Sequence, residues 1–330
     1  MEAVLKLEEI KQYVDIPQLI QVIERGFVSY SEGRCAVPPV GFLHFDDPPG
    51  DVHIKYGYIH GGDYYVLKVA SAFYKNTALN QPVNDGVVLV FSAQTGGIEF
   101  VLQDEGWLTD IRTAAAGAVT AKHLANKNID TIGIVGTGVQ ARLQLELLCD
   151  VVNCKKCLVW GRSLEKAQQM INDLYQNPTI QEWGIEITLA DDLDYLVSKS
   201  RLIVTTTPAR TPLILSDKVQ AGTHITAMGS DDHGKQELDS ELLAKADRVI
   251  ADSITQCVDH GECYSAIKGG QIEENAVLEL GDVINNPEKG RTHENQITIA
   301  DLTGVAVQDI EVANMVANAY LNQTKFEKSL

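Results

Sequence analysis

One segment, Thr131-Ile-Gly-Ile-Val-Gly-Thr-Gly-Val-Gln-Ala-Arg142, restricts the possible folds of this chain more than any other. Its apolar part, Ile132 to Val135, predicts a buried strand. The chain then passes through a glycine-rich turn, and from Leu143 onward apolar residues at helical spacing predict a helix. A strand, a Gly-x-Gly-x-x-Ala turn and a helix in direct succession are typical of a dinucleotide site in a doubly wound α/β fold. The alternative, a plain structural turn, is disfavoured by the flanking strand and helix.

Each position of this turn has a physical role in that interpretation. Gly136 makes the tight turn, Gly138 leaves room for the pyrophosphate, and Ala141 lets the helix pack closely on the strand. The free N–H groups at the helix start would bind the pyrophosphate. The cofactor contacts predicted here are Gly136, Thr137, Gly138, Val139, Gln140 and Ala141.

Composition excludes several classes of protein. The chain has 330 residues, of which 45% are hydrophobic, enough for two domains with cores of their own. Its formal net charge of -18 argues against nucleic acid or an anionic membrane as a partner. No apolar run approaches the ~18–20 residues of a membrane span, and the N-terminus lacks the pattern of a signal peptide. We therefore expect a cytoplasmic enzyme.

The cysteines and histidines do not predict a metal site. Six cysteines are spread along the chain, and reduced thiols are favoured over disulfides. Cys154 and Cys157 have Cys-x-x-Cys spacing, but neither a second such pair nor a histidine pair accompanies them. His233 is interpreted as a loop histidine rather than a ligand, and the other histidines show no ligand spacing. We expect no bound metal.

The order of predicted elements indicates two domains. Residues 8–32 carry a helical pattern interrupted near Pro17, and 37–102 a meandering antiparallel sheet. A small-residue helix, 109–125, leads into β/α alternation, and a closing helix over 305–320 is expected to pack back on the first domain. The predicted fold is α/β, with a Rossmann-type nucleotide domain over 121–304. A sheet-rich substrate and dimerisation domain is predicted from 1–120 plus 305–330.

The second strand of the nucleotide domain bears on the choice of cofactor. An acidic residue about 20 positions after the glycines binds the ribose hydroxyls in NAD sites. This chain has Gly161, Arg162 and Ser163 there. A guanidinium and a hydroxyl suit a 2′-phosphate, so NADPH is favoured over NADH. In the alternative, Arg162 stacks on the adenine or caps the next helix.

Several segments together resemble the ornithine cyclodeaminase/μ-crystallin family, which includes archaeal-type alanine dehydrogenases and ketimine reductases. The resemblance covers nearly the whole chain. Its motifs are Leu67-Lys-Val69, Leu108-Thr-Asp-Ile-Arg-Thr-Ala-Ala-Ala-Gly117, the Gly136 turn, Thr205-Thr-Thr-Pro208, Met228-Gly-Ser-Asp-Asp-His-Gly-Lys-Gln-Glu-Leu238 and Asp301-Leu-Thr-Gly-Val-Ala-Val-Gln-Asp309.

The resemblance implies a homodimer whose substrate is a small α-amino or α-imino acid. It also implies roles for individual residues. Arg112 and Lys68 would hold the substrate carboxylate or carbonyl, and Asp231 would act as acid/base on the substrate amine. Further implied contacts are Thr206, Thr207, Met228, Gly229 and Lys235 for the cofactor and Gly304 for the substrate.

Each of the three principal roles has a structural alternative. Arg112 fits a carboxylate because its planar fork pairs bidentately, but it could form a surface ion pair. Lys68 could be a snorkelling side chain on its apolar strand. Asp231 could cap a helix that opens near Gly234.

One strand departs from the family pattern. Where relatives usually supply an Arg, and cyclodeaminases a Glu for the distal amine, this chain has His53 and Lys55. Both lie on one strand face by period two, so both are candidate substrate contacts. A lysine pairs poorly with the distal ammonium of a diamino acid. The pattern therefore favours a neutral or acidic substrate side chain.

We expect an NAD(P)-dependent imine reductase or amino-acid dehydrogenase that transfers hydride at the substrate Cα. The alternative is a cyclodeaminase that converts ornithine to proline and ammonia while recycling NAD⁺. A non-catalytic, crystallin-like binding protein is disfavoured because Lys68, Arg112 and Asp231 are all present.

Overall fold

The computed structural model, which describes residues 1–329, divides the chain into two units. The first comprises Met1–Arg112 together with the chain from Ala306 onward, and the second comprises Thr113–Val305. The division falls inside one helix, between Arg112 and Thr113. The predicted fold class, a doubly wound parallel-sheet domain combined with a sheet-rich domain, is confirmed.

The first unit is built on a seven-stranded sheet. Its strands are β1 (Ala3–Lys6), β2 (Cys35–Ala36), β3 (Gly41–Phe45), β4 (Gly50–Ile59), β5 (Tyr64–Phe73), β6 (Asn84–Ser92) and β7 (Ile98–Gln103). The sheet order is β1-β7-β6-β5-β4-β2, with β3 also paired to β4. All neighbours are antiparallel except β1 and β7. The antiparallel meander predicted over 37–102 is confirmed, whereas β1 was not predicted.

Three helices accompany this sheet. They are α1 (Leu7–Gln12), α2 (Ile16–Ser31) and the C-terminal α12 (Ala306–Ser329). The break between α1 and α2 lies where the sequence predicts it, because Asp15 caps α2 and Pro17 occupies its first turn. Helix α12 packs on α2 and β4. Helix α12 extends beyond residue 320, where the predicted helix ends. The sequence did not indicate the extension, because the last turns carry mostly polar side chains without an apolar stripe.

The long helix α3 (Trp107–Leu124) follows β7 and leads into the second unit. The strands of that unit are β8 (Ile132–Val135), β9 (Lys156–Trp160), β10 (Glu186–Leu189), β11 (Leu202–Thr205), β12 (His224–Ala227), β13 (Arg248–Ala251), β14 (Val277–Glu279) and β15 (Thr298–Asp301). Its helices are α4 (Val139–Leu148), α5 (Leu164–Leu174), α6 (Pro178–Trp183), α7 (Leu193–Lys199), α8 (Ser240–Lys245), α9 (Ile254–Cys257), α10 (Glu262–Lys268) and α11 (Leu280–Asn285).

The eight strands of the second unit form one parallel sheet in the order β10-β9-β8-β11-β12-β15-β13-β14. Successive residues of a strand lie in two different hydrophobic clusters, as Ile134 and Val135 of β8 do. The chain order reverses between β8 and β11. In open α/β sheets, ligands bind outside the carboxyl ends of the strands at such a reversal. The glycine turn follows β8 and therefore lies at that place.

Short 3₁₀ turns, Asn76–Leu79, Glu274–Ala276 and Pro287–Lys289, complete the described elements. Within residues 1–329, no helix combines the length and the apolar character needed to cross a bilayer.

Candidate active site

The glycine turn after β8 has the geometry that a bound pyrophosphate requires. Gly136 has a φ of +132°, and a Cβ there would lie 2.3 Å from Oγ1 of Thr206. Gly138 caps α4, and a Cβ on it would meet no described atom within 4 Å. The backbone N–H groups at the start of α4 are thus approachable, and the helix dipole favours an anion there. These residues fit a dinucleotide.

The rest of the turn is held by packing and by an arginine. Ala141 is fully buried, whereas Val139 is exposed and Thr137 half-buried. Arg142 donates to the carbonyl of Thr137 at 2.5 Å and to Asp173 at 3.0 Å. Arg142, at the start of α4, therefore stabilises the glycine turn. The sequence did not indicate this role for Arg142.

The end of β9 explains why no acidic residue follows it. A Cβ on Gly161 would lie 2.4 Å from Cγ2 of Thr137, so a side chain there would force the Thr137 side chain to shift. Ser163 caps α5 by accepting from the N–H of Lys166 at 3.3 Å. The cap of α5 is thus Ser163 and not Arg162, whose side chain is exposed beside the turn.

Glu237 joins the loops that follow β11 and β12. It is fully buried and accepts hydrogen bonds from Oγ1 of Thr205, from N–H and Oγ1 of Thr207, and from the N–H of Gly229, at 2.6–2.8 Å. Burial raises the pKa of Glu237 above the ordinary value, although the four hydrogen bonds that it accepts act to lower the pKa. The predicted cofactor contacts Thr206, Thr207, Met228 and Gly229 thus lie on loops held by one carboxylate.

Asp231 lies on the loop after β12 and forms an ion pair with Lys235 at 2.6 Å. Its side chain is 53% exposed. The alternative role, a cap for a helix opening near Gly234, is wrong, because the next helix is α8 and its cap is Asp239. Neighbouring Asp232 accepts from the N–H of His233. Asp231 is therefore the member of this acidic pair with a cationic partner.

Two further buried carboxylates support neighbouring loops. Glu262 accepts from Oγ of Ser230 and from the N–H groups of Glu237 and Leu238, and burial raises its pKa to about 8. Asp252 accepts from the N–H of Gly304 at 2.7 Å and so holds the predicted substrate contact after β15. The loops at the carboxyl edge of the sheet are tied together by buried acids.

In the first unit, Lys68 and Arg112 converge on one carboxylate oxygen. Nζ of Lys68 lies 2.9 Å and Nε of Arg112 lies 3.0 Å from Oδ1 of Asp309 on α12. Arg112 also donates to Oε1 of Gln308. All four side chains are buried. The alternatives, a surface ion pair for Arg112 and a snorkelling Lys68, are therefore both wrong.

Burial and charge oppose each other in this cluster. Burial lowers the pKa of Lys68 to about 7, and the attraction of Asp309 offsets it only in part. Burial would raise the pKa of Asp309, but Arg112 and Lys68 more than reverse this, so the pKa lies below the ordinary value. At neutral pH, therefore, Lys68 lies close to its pKa while it contacts Asp309 beside the Arg112 guanidinium.

Two buried polar atoms of this cluster have no hydrogen-bond partner among the described residues. They are Nε2 of Gln308, a donor, and Oδ2 of Asp309, an acceptor. Buried polar groups are nearly always paired, so such atoms indicate a ligand or water. An α-amino acid carries a carboxylate that accepts and an amine that donates, and it would satisfy both atoms.

The strand register decides the position of Lys55. Lys55 lies directly opposite Lys68 in the β4–β5 pair, so both side chains project from the same sheet face. His53 lies on that face too, with its ring 5.0 Å from the ring of Phe42. His53 and Lys55 therefore share one face of the sheet, as predicted. Lys55 lies beside Lys68 and its partners, whereas His53 packs on Phe42.

Sequence reasoning missed Glu237, Gln308 and Asp309 as site residues. Each lies within a segment that carries the family resemblance, either 228–238 or 301–309. The signal was present in those segments, but no local pattern states which distant group a buried carboxylate contacts. The Cys154 and Cys157 thiols are both free and buried in the second unit.

Comparison with known proteins places this geometry in a family. The family model described as "Ornithine cyclodeaminase/mu-crystallin family" matches residues 1–324. The chain belongs to this family. The ornithine cyclodeaminase/mu-crystallin family resemblance stated from the motifs is thereby confirmed.

Individual proteins are similar to this chain over most of their length. An uncharacterised cyclodeaminase of Sinorhizobium fredii is 41% identical over 280 residues, 84% of this chain and 83% of that protein. The structure of Thermococcus litoralis Δ1-pyrroline-2-carboxylate reductase with NADH and L-proline has a TM-score of 0.89 at 27% identity, covering 97% and 98% of the two chains. An archaeal alanine dehydrogenase dimer with bound NAD has a TM-score of 0.88 at 30% identity, covering 98% and 97%.

Proposed function

We propose that this protein is an NAD(P)-dependent imine reductase or amino-acid dehydrogenase acting on a small α-imino or α-amino acid. The observation that carries the proposal is the convergence of Lys68 and Arg112 on one oxygen of Asp309. Two buried cations against one carboxylate leave a positive surplus, which suits the carboxylate of an incoming substrate. The unpaired donor of Gln308 and acceptor of Asp309 add the polarity of an α-amino acid.

The chain's own residues divide the work of the reaction. A bound nicotinamide supplies or accepts the hydride at the substrate Cα. Arg112 and Lys68 bind and orient the carboxylate, with Lys55, His53 and Gly304 as further substrate contacts. Asp231, paired with Lys235, moves the proton at the substrate nitrogen. The Gly136 turn holds the pyrophosphate.

Relatives with related reactions support this proposal. The structural neighbours include a pyrroline-2-carboxylate reductase with NADH and L-proline and an alanine dehydrogenase with NAD. Both names describe enzymes that interconvert an amino acid and the corresponding imino or keto acid. An iminosuccinate reductase of Paracoccus denitrificans is 35% identical over 300 residues.

The test follows nicotinamide absorbance when the protein is mixed with NADPH or NADH and a panel of substrates. The panel contains pyruvate plus ammonia, pyrroline-2-carboxylate, and oxaloacetate plus ammonia. We expect net oxidation of the reduced nucleotide with at least one of them. Absence of oxidation across the panel, with nucleotide binding intact, would contradict a reductase of small α-imino acids.

A cyclodeaminase is the second candidate, because the 41% identical relative carries that name. Its cycle produces ammonia and proline from L-ornithine with no net change in the nucleotide. Lys55 opposite Lys68 is unfavourable for the distal ammonium of a diamino acid. Ammonia and proline released from L-ornithine with NAD⁺ would establish the cyclodeaminase and overturn the reductase.

We propose that NADPH is preferred over NADH, because the exposed Arg162 follows Gly161, which supplies no acidic side chain for the ribose hydroxyls. Replacing Arg162 with alanine is expected to raise the KM for NADPH about 10–100-fold, the worth of a charge-assisted hydrogen bond of about 1.5–3 kcal/mol. The KM for NADH should stay unchanged. Lys166→Ala, which removes an exposed cation in the first turn of α5, is the matched control. Equal loss for both nucleotides would contradict a role on the 2′-phosphate.

We also propose that the protein is a homodimer joined through the outer face of the first unit's sheet. The inward residues, such as Val66 and Val90, are buried under the helices. Their outward neighbours are apolar but only half-buried or exposed: Ile54, Tyr56, Tyr58, Tyr65, Leu67, Val69, Val87, Leu89 and Phe91. A depression of about 450 Å³ lies among Ala36, Tyr56, Tyr58 and Tyr65. An apolar patch of this extent is typical of a protein interface.

Charges on this face should therefore separate the subunits. The double variant Tyr56→Glu/Tyr58→Glu is expected to halve the mass measured by sedimentation or light scattering. Burying two carboxylates against an apolar partner surface is unfavourable. Tyr195→Glu, which changes a more exposed tyrosine of the second unit, should leave the mass unchanged. A double variant that remained dimeric would place the interface elsewhere.

A further inference from the structure

Three side chains distant in sequence meet on the surface of the second unit. They are His233 on the loop after β12, and Asp259 and His260 just before α10. Nε2 of His233 lies 3.5 Å, and Nδ1 of His260 lies 3.3 Å, from the same Oδ2 of Asp259. One nitrogen or oxygen of each residue lies within 4.8 Å of the other two.

These separations match the spacing of ligand atoms around a small metal ion. Two donor atoms that each lie ~2.0–2.1 Å from a tetrahedral ion are separated by ~3.3–3.4 Å. The two histidine–aspartate distances agree with this value. The two nitrogens can approach each other by rotation of the His233 side chain, which is 67% exposed. His260 is only 17% exposed and forms the fixed side of the cluster.

We propose that His233, Asp259 and His260 form a binding site for a divalent transition-metal ion of the Zn²⁺ class. Two imidazole nitrogens favour Zn²⁺, Co²⁺ or Ni²⁺ over Mg²⁺ or Ca²⁺, which prefer oxygen ligands only. Three protein ligands leave a fourth position for water. The sequence does not indicate this site, because His233 and His260 lie on different loops and lack a common motif.

A bound ion would connect two segments of the second unit. His233 belongs to the loop that carries Asp231 and Lys235. His260 lies between α9 and α10. The next residue, Gly261, has a φ of +115° and is the N-cap of α10. Metal ligation of both histidines therefore restrains the loop against the start of α10. This consequence depends only on the position of the ligands and not on the reaction proposed above.

Calorimetry with ZnCl₂ on the chelator-treated full-length protein tests the site, at about pH 7.5, because metal binding competes with protons for the ligands. We expect one ion per chain. His233→Gln and Asp259→Asn should each weaken Zn²⁺ binding about tenfold or more, since each removes a ligand. His293→Gln, an exposed histidine of the same unit, is the matched control and should bind Zn²⁺ like the wild type.

A second measurement separates this site from adventitious binding. Co²⁺ should produce visible absorption bands in the wild type and in His293→Gln, but not in His233→Gln. Hydrogen exchange of backbone amides in residues 229–238 should slow on addition of Zn²⁺. Because His233 and Asp259 are exposed, both variants should keep the wild-type melting temperature without metal. Zn²⁺ affinity equal in the wild type and both ligand variants, or no Zn²⁺ binding at all, would overturn the proposal.

Discussion

Replacement of Asp231 with asparagine is expected to lower kcat for imine reduction about 10²–10⁴-fold, the usual worth of a positioned general acid or base. Asparagine keeps the shape of the side chain but can neither donate nor accept the proton at the substrate nitrogen. The affinity for the nicotinamide nucleotide should be unchanged, because the Gly136 turn and its helix are intact. Steady-state kinetics and nucleotide titration by fluorescence measure the two quantities.

Asp232→Asn is the matched control for this variant. Asp232 is the adjacent residue on the same loop, and its carboxylate contacts the N–H of His233 rather than Lys235. We expect its kcat to stay within a few-fold of the wild type. Equal losses in the two variants would mean that the loop needs negative charge or structure generally. In that case Asp231 would not be the proton-transfer group.

Replacement of Asp309 with asparagine is expected to destabilise the protein by about 3–5 kcal/mol, the cost of leaving a buried ion-pair partner uncompensated. Lys68 and Arg112 lose the negative charge on which both converge, because the oxygen of an amide at that position is neutral. The same change should raise the KM of the carboxylate substrate, since the two cations are no longer held in place. Chemical denaturation and steady-state kinetics provide the measurements.

The stability deficit of this variant should depend on pH. Lys68 has a pKa of about 7 in the folded wild type, and removal of Asp309 lowers that pKa further. As pH rises toward 7, the folded variant releases this proton while the folded wild type keeps it. The unfolded variant, with an ordinary lysine pKa, stays protonated, so the variant gains stability relative to the wild type. The deficit should therefore be larger at pH 6 than at pH 8.

Glu311→Gln is the control for Asp309→Asn. Glu311 is a half-buried carboxylate on the same helix, and burial raises its pKa to about 7. Its loss removes an acid that is about half protonated at pH 7 and on which, within residues 1–329, no buried lysine or arginine pair converges, so we expect a smaller change in stability and in KM than in Asp309→Asn. A deficit in Asp309→Asn no larger than in Glu311→Gln would contradict the ion-pair cluster as the support of the substrate site.

Much of the nucleotide unit could be predicted from local sequence. Strands β8, β11 and β13 lie where apolar runs indicate them, and the glycine turn has the predicted succession of strand, turn and helix. These elements are specified by residues close in sequence, through periodicity and the backbone freedom of glycine. Strands β1 and β14 were not predicted.

The candidate site residues were identified unequally. Arg112, Lys68 and Asp231 could be named because they lie in motifs that the family shares. Their partners could not: Lys68 and Asp309 are separated by 241 residues, and Thr207 and Glu237 by 30. A carboxylate in a helix has the same local pattern whether it faces solvent or a buried lysine, so only packing decides which of the two occurs.

By itself, the sequence determined the type and order of the elements, the nucleotide turn and the family, since each depends on local spacing of residue types. The tertiary structure decided which charges meet. It placed Lys55 opposite Lys68 and His233 beside His260. It also brought Lys68 and Arg112 together on Asp309. The physical reason is that strand register and helix packing are set by the simultaneous burial of many distant side chains, and no single segment contains that information.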